Sequence, residues 1–569
     1  MAQHELPHDQ QVASVRETVE SIWIAIVLAF VLRAFVLEAF MIPTGSMAPR
    51  LMGQHFQRDC LACGYHYAVR RASEDFRGRP ASGERTTAEC PNCRFRQKGP
   101  EKEESFGGDR VLVLKYLYRF RKPRSWDVVV FKNPLNNQEN YIKRLIGLPG
   151  EQIQIYAGDV YVREGKDYDG NGVIDKADFA TPECLADPQC RWHILHKPPQ
   201  TQKAMWQIVY DQDFPPDTKV YEARRQRWTP PWQADDPARW ELGVRGGTTF
   251  RFLGGAASAV RFAEGDEDRF KDFYAYNGPS RGHHVANDLK LSFLFIPAST
   301  DSRVGLHISS GDNHFRAWVR ASGEVSLEYG QADGAGEPAW EPKPWGEVPL
   351  AALEVGRGHE IALTHADHRV ALWVDGKAVI KSTESQNARL LEGALKAVAS
   401  SRSAPEDLPA PTVRILGDGG ASALRHVGVM RDVFYTTPGI EGRSDEPGWG
   451  TPGNPKTLRK FVARGDLDEF FVLGDNSPNS KDGRMWGTHD PTVRGSDFAC
   501  RLAGETGRTD GSYAFAVPGP KGDYPYRYSN GTVPRYNMMG KAFFVYWPGG
   551  FRIWWLPIVP NCGRMRLIR

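Results

Sequence analysis

The stretch Asn140-Tyr-Ile-Lys-Arg-Leu-Ile-Gly-Leu-Pro-Gly-Glu151 reads as a strand running into a Pro-Gly turn. Strand periodicity puts Tyr141, Lys143 and Leu145 on one face and Ile142, Arg144 and Ile146 on the other. Lys143 therefore shares its face with an aromatic and an aliphatic side chain. Burial there would favour a neutral amine, which can act as a base. A lysine at a strand edge can also snorkel outward, with no chemistry at all. Further strand-like runs lie to either side: Arg110-Val-Leu-Val-Leu114, Asp127-Val-Val-Val-Phe131 and Phe470-Phe-Val-Leu473. With 57 Gly, 40 Pro, 16 Trp, 20 Tyr and 28 Phe in 569 residues, the composition suits a mainly β protein with many turns.

Two polar loops could face that strand. Pro43-Thr-Gly-Ser-Met-Ala-Pro49 holds Ser46 between a glycine that permits a sharp turn and a proline that blocks helix. A neutral Lys143 beside Ser46 could take its hydroxyl proton and make it a nucleophile. The plain alternative is a flexible linker. Gly474-Asp-Asn-Ser-Pro-Asn-Ser-Lys-Asp-Gly-Arg-Met-Trp-Gly487 reads as a tight loop in which Asp482 and Arg484 are close enough to pair and Ser480 could meet a buried amine. A turn held by its own Asx hydrogen bonds explains it equally well.

Taken in order, these segments resemble the conserved boxes of type I signal peptidases. An apolar run precedes the Ser-Met-x-Pro loop. Gly108-Asp-Arg-Val-Leu-Val113, the Lys-Arg-x-x-Gly-x-Pro-Gly strand and the Gly-Asp-Asn-x-x-x-Ser-x-Asp-x-Arg loop follow, with Gly540-Lys-Ala-Phe-Phe-Val-Tyr-Trp-Pro548 as a closing strand. The resemblance spans residues 20–56, 105–165 and 460–569. It implies a serine endopeptidase with Ser46 as nucleophile and Lys143 as general base. Thr44 and the Ser46 N–H would stabilise the oxyanion, Ser480 would orient the lysine, and Asp482 and Arg484 would form a supporting ion pair. The implied substrates are signal peptides of exported preproteins, cut after a small-x-small motif. The chain departs from the family pattern at Ser477-Pro478, commonly Arg-Asp, and at Gly483, commonly Ser.

Working outward gives the domain plan. Residues 1–42 read as a polar tail and a transmembrane anchor, because Ile22 to Ile42 is a run of 21 residues broken only by Arg33 and Glu38. Residues 43–56 are the serine loop, 57–104 a zinc-ribbon-like insert, and 105–215 and 441–569 the two parts of the catalytic domain. Residues 216–440 read as an inserted β-sandwich of jelly-roll type with an unknown ligand. They alternate apolar and polar residues, and Val370-Ala-Leu-Trp-Val374 meets Lys377-Ala-Val-Ile-Lys381 across Asp375-Gly376. The anchor implies the lipid bilayer as a partner. The resemblance adds a single-pass protein of the inner membrane with its catalytic domain on the extracytoplasmic side.

Other motifs compete for attention. Cys60-Leu-Ala-Cys63 and Cys90-Pro-Asn-Cys93, with 26 residues between the pairs, have the spacing of a four-thiolate zinc site, with disulfides as the alternative. Cys184 and Cys190 could pair. Asp167, Asp169, Asn171, Asp175 and Asp178 follow a calcium-loop pattern, though an Asp closes it where Glu is usual; a solvated acidic turn fits as well. Gly278-Pro-Ser-Arg-Gly282 matches G-x-S-x-G without the strand and helix that pattern needs. A net charge of +3 from 72 basic and 69 acidic residues gives no field for nucleic acid. The rival to a peptidase is a non-catalytic, membrane-tethered binding protein acting through the sandwich; Ser46 and Lys143 together argue against it.

Overall fold

In the computed structural model the described residues are 8–70, 87–99, 106–134, 139–244, 246–278, 282–332, 336–402, 409–440, 443–486, 515–517, 524–526, 529–549, 551–553, 556–559 and 562–568. Pro279, Ser280 and Arg281 of the G-x-S-x-G match lie outside them, as do Gly487 and parts of the tail and ribbon segments.

The main sheet runs Leu37–Met41, Arg110–Leu114, Met538–Trp547, Val128–Lys132, Asn140–Gly147, Glu469–Leu473, Val533–Pro534, with Arg566–Leu567 also paired to Met538–Trp547. Its β-branched and aromatic residues fill the space on both faces: Val111, Val113, Val128, Val130 and Ile142 meet Ile42 and Met47 on one, and Val129, Phe131, Leu145 and Val472 meet Trp486 on the other. A smaller sheet, His193–Ile194, Asp159–Glu164, Glu151–Tyr156 and Lys456–Thr457, packs beside it through Ile146, Ile153 and Phe471.

The expected transmembrane anchor is overturned. No described helix is long and apolar enough to cross a membrane. The run Ile22 to Ile42 is divided between three structures: the end of the helix His8–Val31, the π-turn Leu32–Val36 and the strand Leu37–Met41. Within that run only Ile22 to Val31 is α-helix, a rise of about 15 Å against the roughly 30 Å of a bilayer core. Leu37–Met41 pairs antiparallel with Arg110–Leu114, and Glu38 forms an ion pair with Lys115 at 3.1 Å. A sheet edge thus takes five of the last six residues of the supposed span. The inner-membrane, single-pass placement rested on that anchor and falls with it.

Between residues 105–215 and 441–569 stands the sandwich. One sheet contains Trp240–Val244, Thr249–Phe252, Ser422–Arg431, Leu289–Pro297, His359–Ala366, Arg369–Val374 and Lys377–Lys381 in that order, with Gln207–Asp211 paired to Ser422–Arg431. The other centres on Gly255–Phe262, Val413–Gly419, Ser302–Ser310, Asn313–Arg320 and Glu324–Gln331. Their alternating residues close on one core that includes Phe250, Phe293, Leu306, Phe315 and Ile361. Asp375 and Gly376 take φ of 47° and 74°, so the expected two-residue turn joins Arg369–Val374 to Lys377–Lys381.

Lys197 pins the sandwich to the small sheet. Its ammonium lies 2.9 Å from Asp432 and also contacts Asp367, while its backbone N–H donates to Asp367 at 2.9 Å. All three side chains are buried.

Candidate active site

The main sheet brings the distant motifs together. Lys143 pairs in register with Val129, and Arg144 with Leu473, the last strand residue before the Gly474 loop. That loop therefore starts beside Lys143. On the other side the chain leaves the edge strand at Met41 and is tied down by Asp109, whose backbone carbonyl accepts from Ile42 N–H and whose carboxylate accepts from Met52 N–H, both near 2.9 Å. The serine loop between these ties turns towards the sheet.

Lys143 Nζ lies 2.5 Å from Ser46 Oγ, and both side chains are buried, at 3% and 8% exposure. Burial drives the Lys143 ammonium from its ordinary 10.5 down to about 8; Asp482 and Asp475 pull it up and Arg484 pushes it down. Desolvation wins because both carboxylates already have guanidinium partners. The face-sharing read from the strand holds: the amine sits 5.3 Å from the Tyr141 ring centre.

Asp482 and Arg484 form a fully buried pair, with Arg484 Nε and Nη2 donating to the two carboxylate oxygens at 2.8 and 2.7 Å. Asp482 also accepts from Gly474 N–H at 2.9 Å, so the pair shapes the loop. Gly474 is needed: a Cβ there would lie 2.5 Å from Ser46 O. Ser480 is buried near this point, and among the described residues its hydroxyl has no hydrogen-bond partner, Lys143 included. Thr44 is exposed. Among the described residues the Ser46 N–H has no acceptor, which leaves a donor free at the proposed nucleophile.

Two features were not read from the sequence. Arg144 Nε and Nη2 grip Asp475 at 2.7 and 2.6 Å in a wholly buried pair. Asn476 donates through its backbone N–H to Ser46 O and through its side chain to Gly45 O, each at 3.0 Å. The charge adjacent to Lys143 and the Asp-Asn of the polar loop were visible, but their pairing spans 331 residues.

With that geometry in view, residues 98–204 match the family described as signal peptidase, peptidase S26. The chain carries a peptidase S26-like domain. The matched stretch includes Lys143 and not Ser46. The chain is similar to a probable signal peptidase I-2 of Synechocystis, 42% identical over 69 residues, 11% of this chain and 31% of that protein. It is also similar to a signal peptidase I of Rickettsia typhi, 26% identical over 153 residues, 27% of this chain and 45% of that one. The chain thus spans less than half the length of these curated relatives. A carbohydrate-binding module from Bacillus subtilis aligns at 12% identity and a TM-score of 0.22, over 35% of this chain and 94% of that one, which is too low to carry an argument.

Outside the S26-like domain, the four cysteines of the ribbon segment converge. Cys60 and Cys63 sit in the turn of the hairpin His55–Asp59/His66–Arg70, and Cys90 and Cys93 in the turn of the hairpin Thr87–Glu89/Arg96–Lys98. Cys60 Sγ is 3.5 Å from Cys93 Sγ, Cys63 Sγ is 3.7 Å from Cys90 Sγ, and all four lie within 4.8 Å of one another. A tetrahedral thiolate site with bonds of about 2.3 Å has edges of about 3.8 Å, so the cluster could hold a structural metal. None of the four is disulfide-bonded; Cys184 and Cys190 are.

The calcium expectation gains no support. Asp167, Asp169 and Asp178 approach one another, without Asp175. Both oxygens of buried Asp178 accept backbone N–H groups, from Tyr168 at 2.8 Å and Asp175 at 2.9 Å. Asp169 and Asn171 likewise accept from Asn171 and Val173, so the loop is held by its own Asx bonds.

Proposed function

We propose that the chain is a serine endopeptidase of the signal-peptidase type, with Ser46 as nucleophile and Lys143 as general base. The observation that carries this reading is the 2.5 Å contact between Lys143 Nζ and Ser46 Oγ in a buried site. A lysine with a pKa near 8 is neutral often enough at physiological pH to accept the hydroxyl proton. Ser46 Oγ then adds to the scissile carbonyl, and the developing oxyanion takes the free Ser46 N–H, assisted by Thr44. Protonated Lys143 gives its proton to the leaving amine, which departs with the new N-terminus. Lys143, neutral again, takes a proton from water as that water adds to the ester carbonyl and returns the proton to Ser46 Oγ as the acid product leaves, which restores the dyad.

The substrates proposed are signal peptides of exported preproteins, cut after small residues, in keeping with the S26-like domain. The metal proposed for Cys60, Cys63, Cys90 and Cys93 is zinc in a closed structural site, remote from the proton transfers. The test is incubation of the full chain with a purified preprotein beside Ser46→Ala and Lys143→Met, with the product's N-terminus sequenced. Cleavage at one small-x-small site by the unaltered chain alone is expected. Equal cutting by either variant would end the dyad reading.

A further inference from the structure

The sandwich reaches into the candidate site. Its 3-10 turn Ala275–Asn277 lies against the serine loop and the Gly474 loop at three successive points. Tyr274 Oη donates to Asp475 O at 3.1 Å. Tyr276 lies over Gly45, where a Cβ would come within 2.0 Å of the ring. Asn277 exchanges amide hydrogen bonds with Asn476: Asn277 Nδ2 donates to Asn476 Oδ1 at 2.8 Å, and Asn476 Nδ2 donates to Asn277 Oδ1 at 2.7 Å.

The consequence lies in how Asn476 uses its two side-chain hydrogens. One goes to Asn277, the other to Gly45 O. The Gly45 carbonyl accepts only from the Nδ2 end of the Asn476 amide, and the reciprocal pair with Asn277 holds the plane of that amide where the donor reaches it. Gly45 O belongs to the peptide whose other end is the Ser46 N–H. In a trans peptide the C=O and N–H point in opposite directions. The Gly45 carbonyl is held by two donors, Asn476 Nδ2 and the Ala48 N–H, each at 3.0 Å, so the Ser46 N–H points the other way, and that N–H has no acceptor among the described residues.

We propose that Asn277 is a positioning residue of the peptidase: through Asn476 it sets the Gly45–Ser46 peptide so that the Ser46 N–H meets the substrate's oxyanion. The sandwich is then a working part of the active site as well as an inserted module. This rests on the reading of Ser46 as nucleophile.

The experiment uses the full chain with Asn277→Ala and Asn277→Asp, the latter keeping the acceptor for Asn476 while losing the donor. Rates are normalised to the acyl-enzyme burst, so that misfolded protein does not count. For Asn277→Ala, kcat falls roughly tenfold, less than the 10²–10³ for deleting an oxyanion donor outright. KM stays within about twofold and the pH profile keeps its midpoint, since Lys143 is untouched. Asn277→Asp recovers most of the rate. Hydrogen exchange in residues 43–51 quickens in Asn277→Ala while the sandwich strands keep theirs. An unchanged normalised kcat in an active enzyme overturns the proposal and leaves the Ser46/Lys143 reading standing. An inert unaltered chain overturns that reading instead; unchanged exchange in residues 43–51 then removes the Asn277 contact too.

Discussion

The sharpest consequence of the site is a pH profile. If Lys143 must be neutral to act, kcat/KM follows its unprotonated fraction in the free enzyme. With the amine held near 8, that fraction is about 9% at pH 7 and about 91% at pH 9, a tenfold rise with a midpoint near 8. An ordinary lysine at 10.5 would be neutral roughly 300-fold less often at pH 7, so burial accounts for that much of the rate. The assay is cleavage of a blocked signal-peptide substrate lacking groups that titrate between pH 6 and 10, at concentrations well below KM. Asp482→Asn supplies the control of direction. It removes a charge that holds the ammonium up and leaves Arg484 pressing it down, so the midpoint moves below that of the unaltered enzyme. A profile flat between pH 7 and 9, or a midpoint that rises in Asp482→Asn, would refute the assignment of Lys143 as the titrating base.

The same burial has a cost in stability. Below pH 8 the folded chain keeps a charged amine in a dry site at about 3 kcal/mol; the penalty is relieved as pH rises from 8 to 10.5. Lys143→Met should thus be inactive yet more stable at pH 7, by about 2 kcal/mol after the lost Ser46 hydrogen bond, with the gain gone above pH 10.5; denaturant melts at both pH values check it, and a destabilised variant at pH 7 contradicts it. Lys197→Met leaves Asp367 and Asp432 buried with no counter-charge and should lower unfolding free energy by about 3–5 kcal/mol; a loss under about 1 kcal/mol means the joint is not held by that cation. Chelation should release one zinc per chain, speed hydrogen exchange around Cys60 and Cys90, and leave Ser46 acylation intact. Unaltered exchange after metal removal argues against the zinc ribbon.

What could be read from the sequence follows from the range over which each signal acts. The strand around Lys143, the Asp375-Gly376 hairpin and the two Cys-x-x-Cys pairs are local patterns, and each appears where its spacing put it. The anchor failed for a related reason. Summed hydropathy counts residues and ignores period, and Leu37-Glu38-Ala39-Phe40-Met41 is apolar enough to extend a helix while being used as an edge strand with Glu38 paired to Lys115. Ser480 is a different case: the position is buried beside the Gly474 loop, but which group a hydroxyl meets is decided by side-chain rotation, which no spacing encodes.

Of the long-range polar contacts that define the site, Lys143 to Ser46, across 97 residues, was expected through the family resemblance. The amide contacts were beyond reach: Asn277 to Asn476 spans 199 residues and Asn476 to Gly45 spans 431. Each partner, taken alone, is a small polar residue in a Gly-rich or Pro-rich loop, indistinguishable from any surface turn. What changes their meaning is burial: once the main sheet sets the serine loop against the Gly474 loop, every amide and carboxylate there must find a partner inside the protein. Asn476 finds two on the serine loop and one on the insert. An insert placed far away would have left that third position to water. Its presence in this contact is the physical reason to treat the sandwich and the S26-like domain as one unit, and to test Asn277 before searching for a separate sandwich ligand.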